Sequence, residues 1–212
     1  MSKTSMSKAG KTAASTVGRL GRPRCFCEET ALDAAMRVFW ERGYEGASLT
    51  DLTEAMDINR PSLYATFGDK ESLFLKAMAR YAEGPAGYVR AALAAPTARL
   101  VVEALVNGAV ELLGNPDNPR GCLSVHGALA ASHEAERVKS ALVAWRKQGE
   151  AEIRKRLKRA QSEGDLRANL DAADITRYIA TILNGLGVQA SNGASKAQMA
   201  RVAQMALQAL PF

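Results

Sequence analysis

From Glu28 to the end of the chain, apolar residues recur at three- and four-residue steps, and no run alternates apolar with polar between hairpin turns. That period admits one kind of packing, in which amphipathic helices each bury a stripe against their neighbours, so the expected fold is all-α. The punctuation is equally legible. Ala31, Ala34, Ala35, Val38 and Phe39 form a stripe that ends at Gly43, which predicts a first helix over about 28–42 with Glu28 and Glu29 at its electropositive end. Ser48 and Asp51 stand in an S-x-x-D arrangement that starts a second helix burying Leu49, Leu52, Ala55 and Met56. A turn at 57–59 leads to a brief third helix, about 60–66, with Pro61 in its first turn and Ile58, Leu63 and Phe67 pointing inward. Asp69 caps a fourth helix, whose stripe of Leu73, Ala77, Met78 and Tyr81 runs to the Gly84–Pro85 break. Further helices are expected near 86–95, 97–113, 121–131, 134–163, 171–191 and 195–209.

Charge divides the chain differently. Lys and Arg number 28 against 22 Asp and Glu, a formal net charge of +6. Residues 1–24 hold Lys3, Lys8, Lys11, Arg19, Arg22 and Arg24 and no acidic residue, which leaves 22 basic and 22 acidic residues beyond them. Residues 1–20, rich in Ser, Thr, Ala and Gly, are expected to be a disordered basic arm, because so little apolar surface cannot offset the entropy of ordering. Such an arm suits a nucleic-acid backbone, a solubilising tail or, less well, a transit peptide. Nothing approaches the roughly 20 continuous apolar residues of a membrane span. Three cysteines without a secretory leader point to the cytoplasm, and two histidines without HExxH, paired CxxC or GxSxG motifs argue against an enzyme and imply no cofactor.

Helix, short turn, helix is the arrangement that lays a second helix into the DNA major groove. With Leu63 and Phe67 inward, Arg60, Ser62, Tyr64 and Thr66 are left to face outward or lie at the margins. An Arg60 guanidinium can donate two hydrogen bonds to guanine O6 and N7, worth about 1–3 kcal/mol of discrimination. Ser62 and Thr50 offer shorter contacts, the Tyr64 hydroxyl suits a phosphate, and Lys70 in the first turn of its helix makes sense beside one. The alternative is an ordinary helical bundle with a solvated Arg and Lys.

At these residues the chain resembles the TetR family of bacterial transcriptional repressors. The stretch from Gly21 to Phe74, "GRPRCFCEETALDAAMRVFWERGYEGASLTDLTEAMDINRPSLYATFGDKESLF", is similar to that family's DNA-binding domain, above all in "FWERGYEGASL" and "INRPSLYATFGDKESLF". The resemblance implies that Thr50, Arg60, Pro61 and Ser62 read bases, that Tyr64, Thr66 and Lys70 hold phosphates, and that Arg22 and Arg24 are arm contacts. Thr66 stands where many relatives carry His or Tyr, and Cys25 and Cys27 are unusual at their positions. A helix-turn-helix domain over 21–82 would precede a helical effector-binding and dimerisation domain over 83–212. Residues 25–95 carry seven basic and eleven acidic residues, so affinity must come from the placement of few cations and from the arm.

In the second half, Val138, Leu142 and Trp145 recur along one long helix, and Ile175, Ile179, Ile182 and Leu186 along the next. These stripes suggest a four-helix homodimer interface, or else the subunit core. A two-fold dimer would set two recognition helices about 34–36 Å apart on a pseudo-palindromic operator, released when a small-molecule effector favours the other conformer. Tyr88, Cys122, His126, Trp145 and Tyr178 are candidates to line that effector's pocket. Thiol or metal sensing on the same scaffold, through Cys25, Cys27, Cys122 or His126, with His133 nearby, is the alternative. The basic run from Arg146 to Arg159 is read as a solvated face.

Overall fold

The computed structural model of the chain describes residues 27–125 and 135–211. The basic arm, Arg22, Arg24, Cys25, His126 and His133 lie outside the described residues. The described helices are α1 (Glu28–Gly46), α2 (Leu49–Ala55), α3 (Arg60–Phe67), α4 (Lys70–Glu83), α5 (Tyr88–Leu93), α6 (Ala98–Leu113), α7 (Glu136–Ser162), α8 (Ala172–Ser191) and α9 (Lys196–Gln208), with a 3-10 turn at Pro85–Gly87. The all-α expectation holds, and the helix ends fall where the turn chemistry puts them. Ser48 and Asp51 form a reciprocal capping box, the Asn59 side chain accepts from the Ser62 amide, and Asp69 accepts from that of Ser72. Gly43 takes φ 70°, a left-handed conformation that breaks α1 as expected, although one more turn follows it to Gly46.

Two hydrophobic cores organise the chain. The first joins α1, α2, α3 and α4 around Phe39, Trp40, Phe67, Phe74 and Tyr81, each at most 1% exposed. Its rings meet edge to face, Phe39 on Phe74 at 5.1 Å and Trp40 on Tyr81 at 4.8 Å. Arg80 adds a two-pronged ion pair from α4 to Asp33 of α1, at 2.6 and 2.8 Å. The second core packs α6 against α7, α8 and α9 through aliphatic side chains, including Val101, Leu105, Leu157 and Ile179. The long α7 belongs to both: Val138 and Leu142 enter the first core, while Ile153 and Leu157 enter the second.

This arrangement corrects three sequence expectations. Val138, Leu142, Ile175, Ile179 and Leu186 are buried within one chain, so these five follow the alternative and feed the subunit core, while Trp145 and Ile182 stay half-buried against the two cores. The period of a helix marks which face is buried but not what buries it. Ala55 is exposed, because Leu52 and Met56 suffice to seat the short α2. Tyr178 lies on the outer face of α8, its hydroxyl donating to the Ala206 carbonyl at 3.2 Å, rather than in an internal pocket. Among the described residues no helix is long and apolar enough to cross a membrane.

Candidate nucleic-acid interface

The turn between α2 and α3 fixes how α3 leaves the domain. Amides of Asp57 and Ile58 donate back to the Glu54 and Thr53 carbonyls, and Asp57 takes φ 51°, a conformation Asp tolerates better than most residues. Ile58 then packs half-buried against the first core, and the Asn59 cap holds the first turn of α3, where Pro61 has no amide hydrogen to leave unpaired. Leu63 and Phe67, at most 1% exposed, anchor one side of the helix. The opposite side is left to solvent: Arg60, Pro61, Tyr64 and Ala65 are exposed, and Ser62 and Thr66 are half-exposed. Tyr64 is 50% exposed, a large ring half open to solvent.

Thr50 on α2 is exposed beside this face, and its hydroxyl accepts a hydrogen bond from Arg60 Nη2 at 3.0 Å. The bond uses one N–H of Nη2 and holds the guanidinium at the N-terminal end of the presented helix, where the second Nη2 hydrogen, with Nε or Nη1 beside it, can meet a guanine edge. Lys70, at the start of α4, lies with Nζ 4.4 Å over the Tyr44 ring. Partial burial there lowers the Lys70 pKa, opposed by Glu45, and burial beside Glu71 raises that of Tyr44. An ammonium held on an aromatic face is poorly hydrated, which favours its exchange of remaining water for a phosphate oxygen. Beneath the site, Arg42 pairs with Asp51 at 2.6 Å, and Ser48 hydrogen bonds, with Arg42 second, hold the Asp51 carboxyl below the usual range.

The structure therefore brings together Thr50, Arg60, Pro61, Ser62, Tyr64 and Thr66 on one exposed surface, with Lys70 at the adjoining helix start. Sequence reasoning missed two supporting groups. Tyr44, in "RGYEG", is the platform for Lys70, and Lys76 donates to the Thr66 carbonyl at 3.1 Å while lying 5.3 Å over Phe67. Tyr44 lies inside the "FWERGYEGASL" stretch and Lys76 two residues beyond Phe74, and that nearness was the available signal.

The candidates of the second half separate. Tyr88 is largely buried, with its ring so close to α6 that a Cβ on Gly108 would sit 2.2 Å from it. Cys122 lies beside it, half-buried, its Sγ 3.5 Å from the Tyr81 hydroxyl and 3.1 Å from Ser124 Oγ. Burial and the neighbouring Cys122 push the Tyr88 and Tyr81 phenols up. Trp145 packs half-buried against the first core, as Cys122 also does. Cys27 is exposed at the start of α1, where Thr30 hydrogen bonds lower its thiol pKa. Among the described residues no three His, Cys, Asp or Glu side chains are grouped to hold a metal ion.

Known proteins align with this geometry over most of the chain. Residues 31–77 match the family model for bacterial regulatory proteins of the tetR family, and residues 96–206 match that for the tetracyclin repressor-like C-terminal domain. The HTH-type transcriptional repressor ComR of Escherichia coli K12 is 29% identical over 90% of this chain and 92% of its own length. The uncharacterised HTH-type regulator YezE of Bacillus subtilis is 32% identical over 76% of this chain and 84% of its own. A structure of the TetR family regulator CifR, a cysteine mutant complexed with a 26-bp double-strand operator DNA, superposes with TM-score 0.86 and 45% identity, covering 90% of this chain and all of that one. With both halves matched by family models, the chain belongs to the TetR family of bacterial regulatory proteins.

Proposed function

We infer that the protein is a transcriptional repressor that binds a pseudo-palindromic operator as a homodimer and lets go when a small-molecule effector occupies its C-terminal half. The observation that carries this is the α3 face, where Arg60 and Tyr64 stand exposed and Ser62 half-exposed above a fully buried Leu63 and Phe67. The operator complex of the similar CifR supports the same docking. In this reading Thr50, Arg60, Pro61 and Ser62 contact bases, while Tyr64, Thr66, Lys70 and the arm residues Arg22 and Arg24 contact phosphates.

For the dimer, the corrected stripes direct attention outward. Tyr178 and Val188 on α8 and Val202 and Met205 on α9 are exposed apolar side chains, Met205 at 69%, on two neighbouring helices. Two such pairs related by a two-fold axis would bury one another as a four-helix contact. The effector site is read into the interior that holds Tyr88 and Cys122. An effector acts only through its difference in affinity for the DNA-competent and DNA-incompetent forms.

The test is selection of duplexes from a random pool by the purified protein, followed by anisotropy titration of the enriched site. Enrichment of an inverted repeat bound by two chains is the expected result. No enrichment, with equal weak binding to every duplex in dilute salt, would overturn the reading.

A further inference from the structure

Among the described residues, the buried side-chain nitrogens and oxygens that lack a hydrogen-bond partner are two atoms of one guanidinium, Arg156 Nε and Nη1. Arg156 is 7% exposed and lies on the face of α7 that carries Ile153, Leu157 and Ala160 into the aliphatic core. Its Nη2 donates to the carbonyls of Ala95 and Pro96, at 2.9 and 3.0 Å, in the turn between α5 and α6. The described ion pairs engage other cations. Asp165, which reaches the same turn, accepts from the Ala98 amide through Oδ2 and forms no ion pair with Arg156 within 4 Å.

Burying a full positive charge with no counter-ion is among the most unfavourable things a fold can do, and interior cations are ordinarily paired. Tying down the turn does not account for it. One nitrogen holds both carbonyls, so a neutral amide side chain would serve there without leaving two further N–H groups unmet.

We propose that Arg156 anchors an anionic effector at the α5–α6 turn, about ten α6 residues from the Gly108 on which Tyr88 packs, and that this effector carries a carboxylate, received either on Nε–H or on Nη1, which face different edges of the guanidinium. This inference rests on the effector-released reading above. A single delocalised cation among aliphatic side chains matches a single negative charge, whereas a phosphate would bring charge left uncompensated. The exposed cations of the same helix, such as Arg154, Lys155 and Lys158, do not share its buried face. The turn that Arg156 holds follows the short α5. The six-residue α5 has no side-chain cap, and only Ala92 within it is fully buried. Because α7 also seats Val138 and Leu142 in the first core, a pull on Arg156 reaches the DNA-binding half.

The experiment uses the full-length chain with arginine side chains observed by nitrogen-15 NMR and with thermal melts on the same samples, chloride held constant. Sodium acetate is the probe, acetamide its neutral counterpart and inorganic phosphate the competing oxyanion. Acetate is expected to move the Nε–H resonance most protected from solvent exchange and to raise Tm with the same saturating midpoint, while acetamide does neither. In Arg156→Gln both responses should vanish, and the wild-type titration stands without the variant should it fold poorly. Equal effects of acetate and acetamide, an unmoved resonance, or a rise in Tm that survives in Arg156→Gln would reduce Arg156 to a turn staple. A stronger response to phosphate than to acetate would overturn the carboxylate assignment. Operator binding by the unliganded wild type, measured alongside, tests the underlying repressor reading separately.

Discussion

The two cores are built on opposite terms. The DNA-binding half is aromatic, with Phe39, Trp40, Phe74 and Tyr81 interlocked edge to face, and α2, α3 and α4 each begin at a side-chain cap. The C-terminal half is aliphatic, and caps do not separate the halves: α6, α8 and α9 begin at one, while α1, α5 and α7 do not. Planar rings meeting in fixed geometry define a single packing, whereas Ala, Val, Leu and Ile side chains tolerate repacking at smaller loss. The difference teaches that the reading head is constructed to be held and the other half to be adjusted. Recognition needs base-contacting groups placed to within fractions of an ångström, while response to an effector needs an interior with more than one acceptable arrangement.

The strongest way to break this contrast is to hollow each core in turn. Phe39→Ala should cost about 3–5 kcal/mol of unfolding free energy and weaken operator binding as well, because α1 and α4 together aim α3. Leu105→Ala, equally buried in the second core, should cost about 2–5 kcal/mol while leaving the folded protein's operator affinity intact. Denaturant unfolding with parallel anisotropy decides it, and equal losses of affinity would erase the distinction. Next in size, Arg60→Ala should remove about 1–3 kcal/mol of preference for the cognate site, whereas Lys70→Ala should weaken all duplexes alike and flatten the salt dependence. Unchanged binding in both variants would move the interface elsewhere. A smaller effect sharpens the role of the caps: Ser48→Ala should cost about 0.5–2 kcal/mol, read as a shift in the urea midpoint.

The smallest effect is one of pH. Hydrogen bonding to Arg80 holds the Asp33 carboxyl below its usual range, so the stability it contributes is present above the ordinary carboxylate pKa and is lost as pH falls through the depressed value. Melts from pH 6 down should show a modest acid limb that shrinks in Asp33→Asn. Both partners are partly exposed, so solvent screening keeps the effect small. An identical acid limb in the variant would assign the titration to other carboxylates.

Much of this was legible in the chain because the information is local. Ser48 and Asp69 act on amides three residues away, and Gly43 acts on its own φ, so their consequences follow from sequence alone. The exposed face of α3 was legible for the same reason, Leu63 and Phe67 being one turn apart. What escaped depends on neighbours distant in the chain. Val138 and Ile179 show helical periodicity whether the partner is the same subunit or another copy, and only the packing of α7 on both cores decides it. Tyr44 under Lys70 and the orphaned donors of Arg156 are likewise meetings of separate segments, to which a one-dimensional pattern is blind.

The double seating of α7 has a mechanical consequence. Its 27 residues make a rod of about 40 Å at 1.5 Å per residue. Gripped at both ends, such a rod transmits tilt rather than absorbing it, and rotation by about 5° would swing the far tip by roughly 3–4 Å over that length. Modest rearrangement among aliphatic side chains at one end thus becomes, at the other, a displacement as large as a hydrogen bond is long.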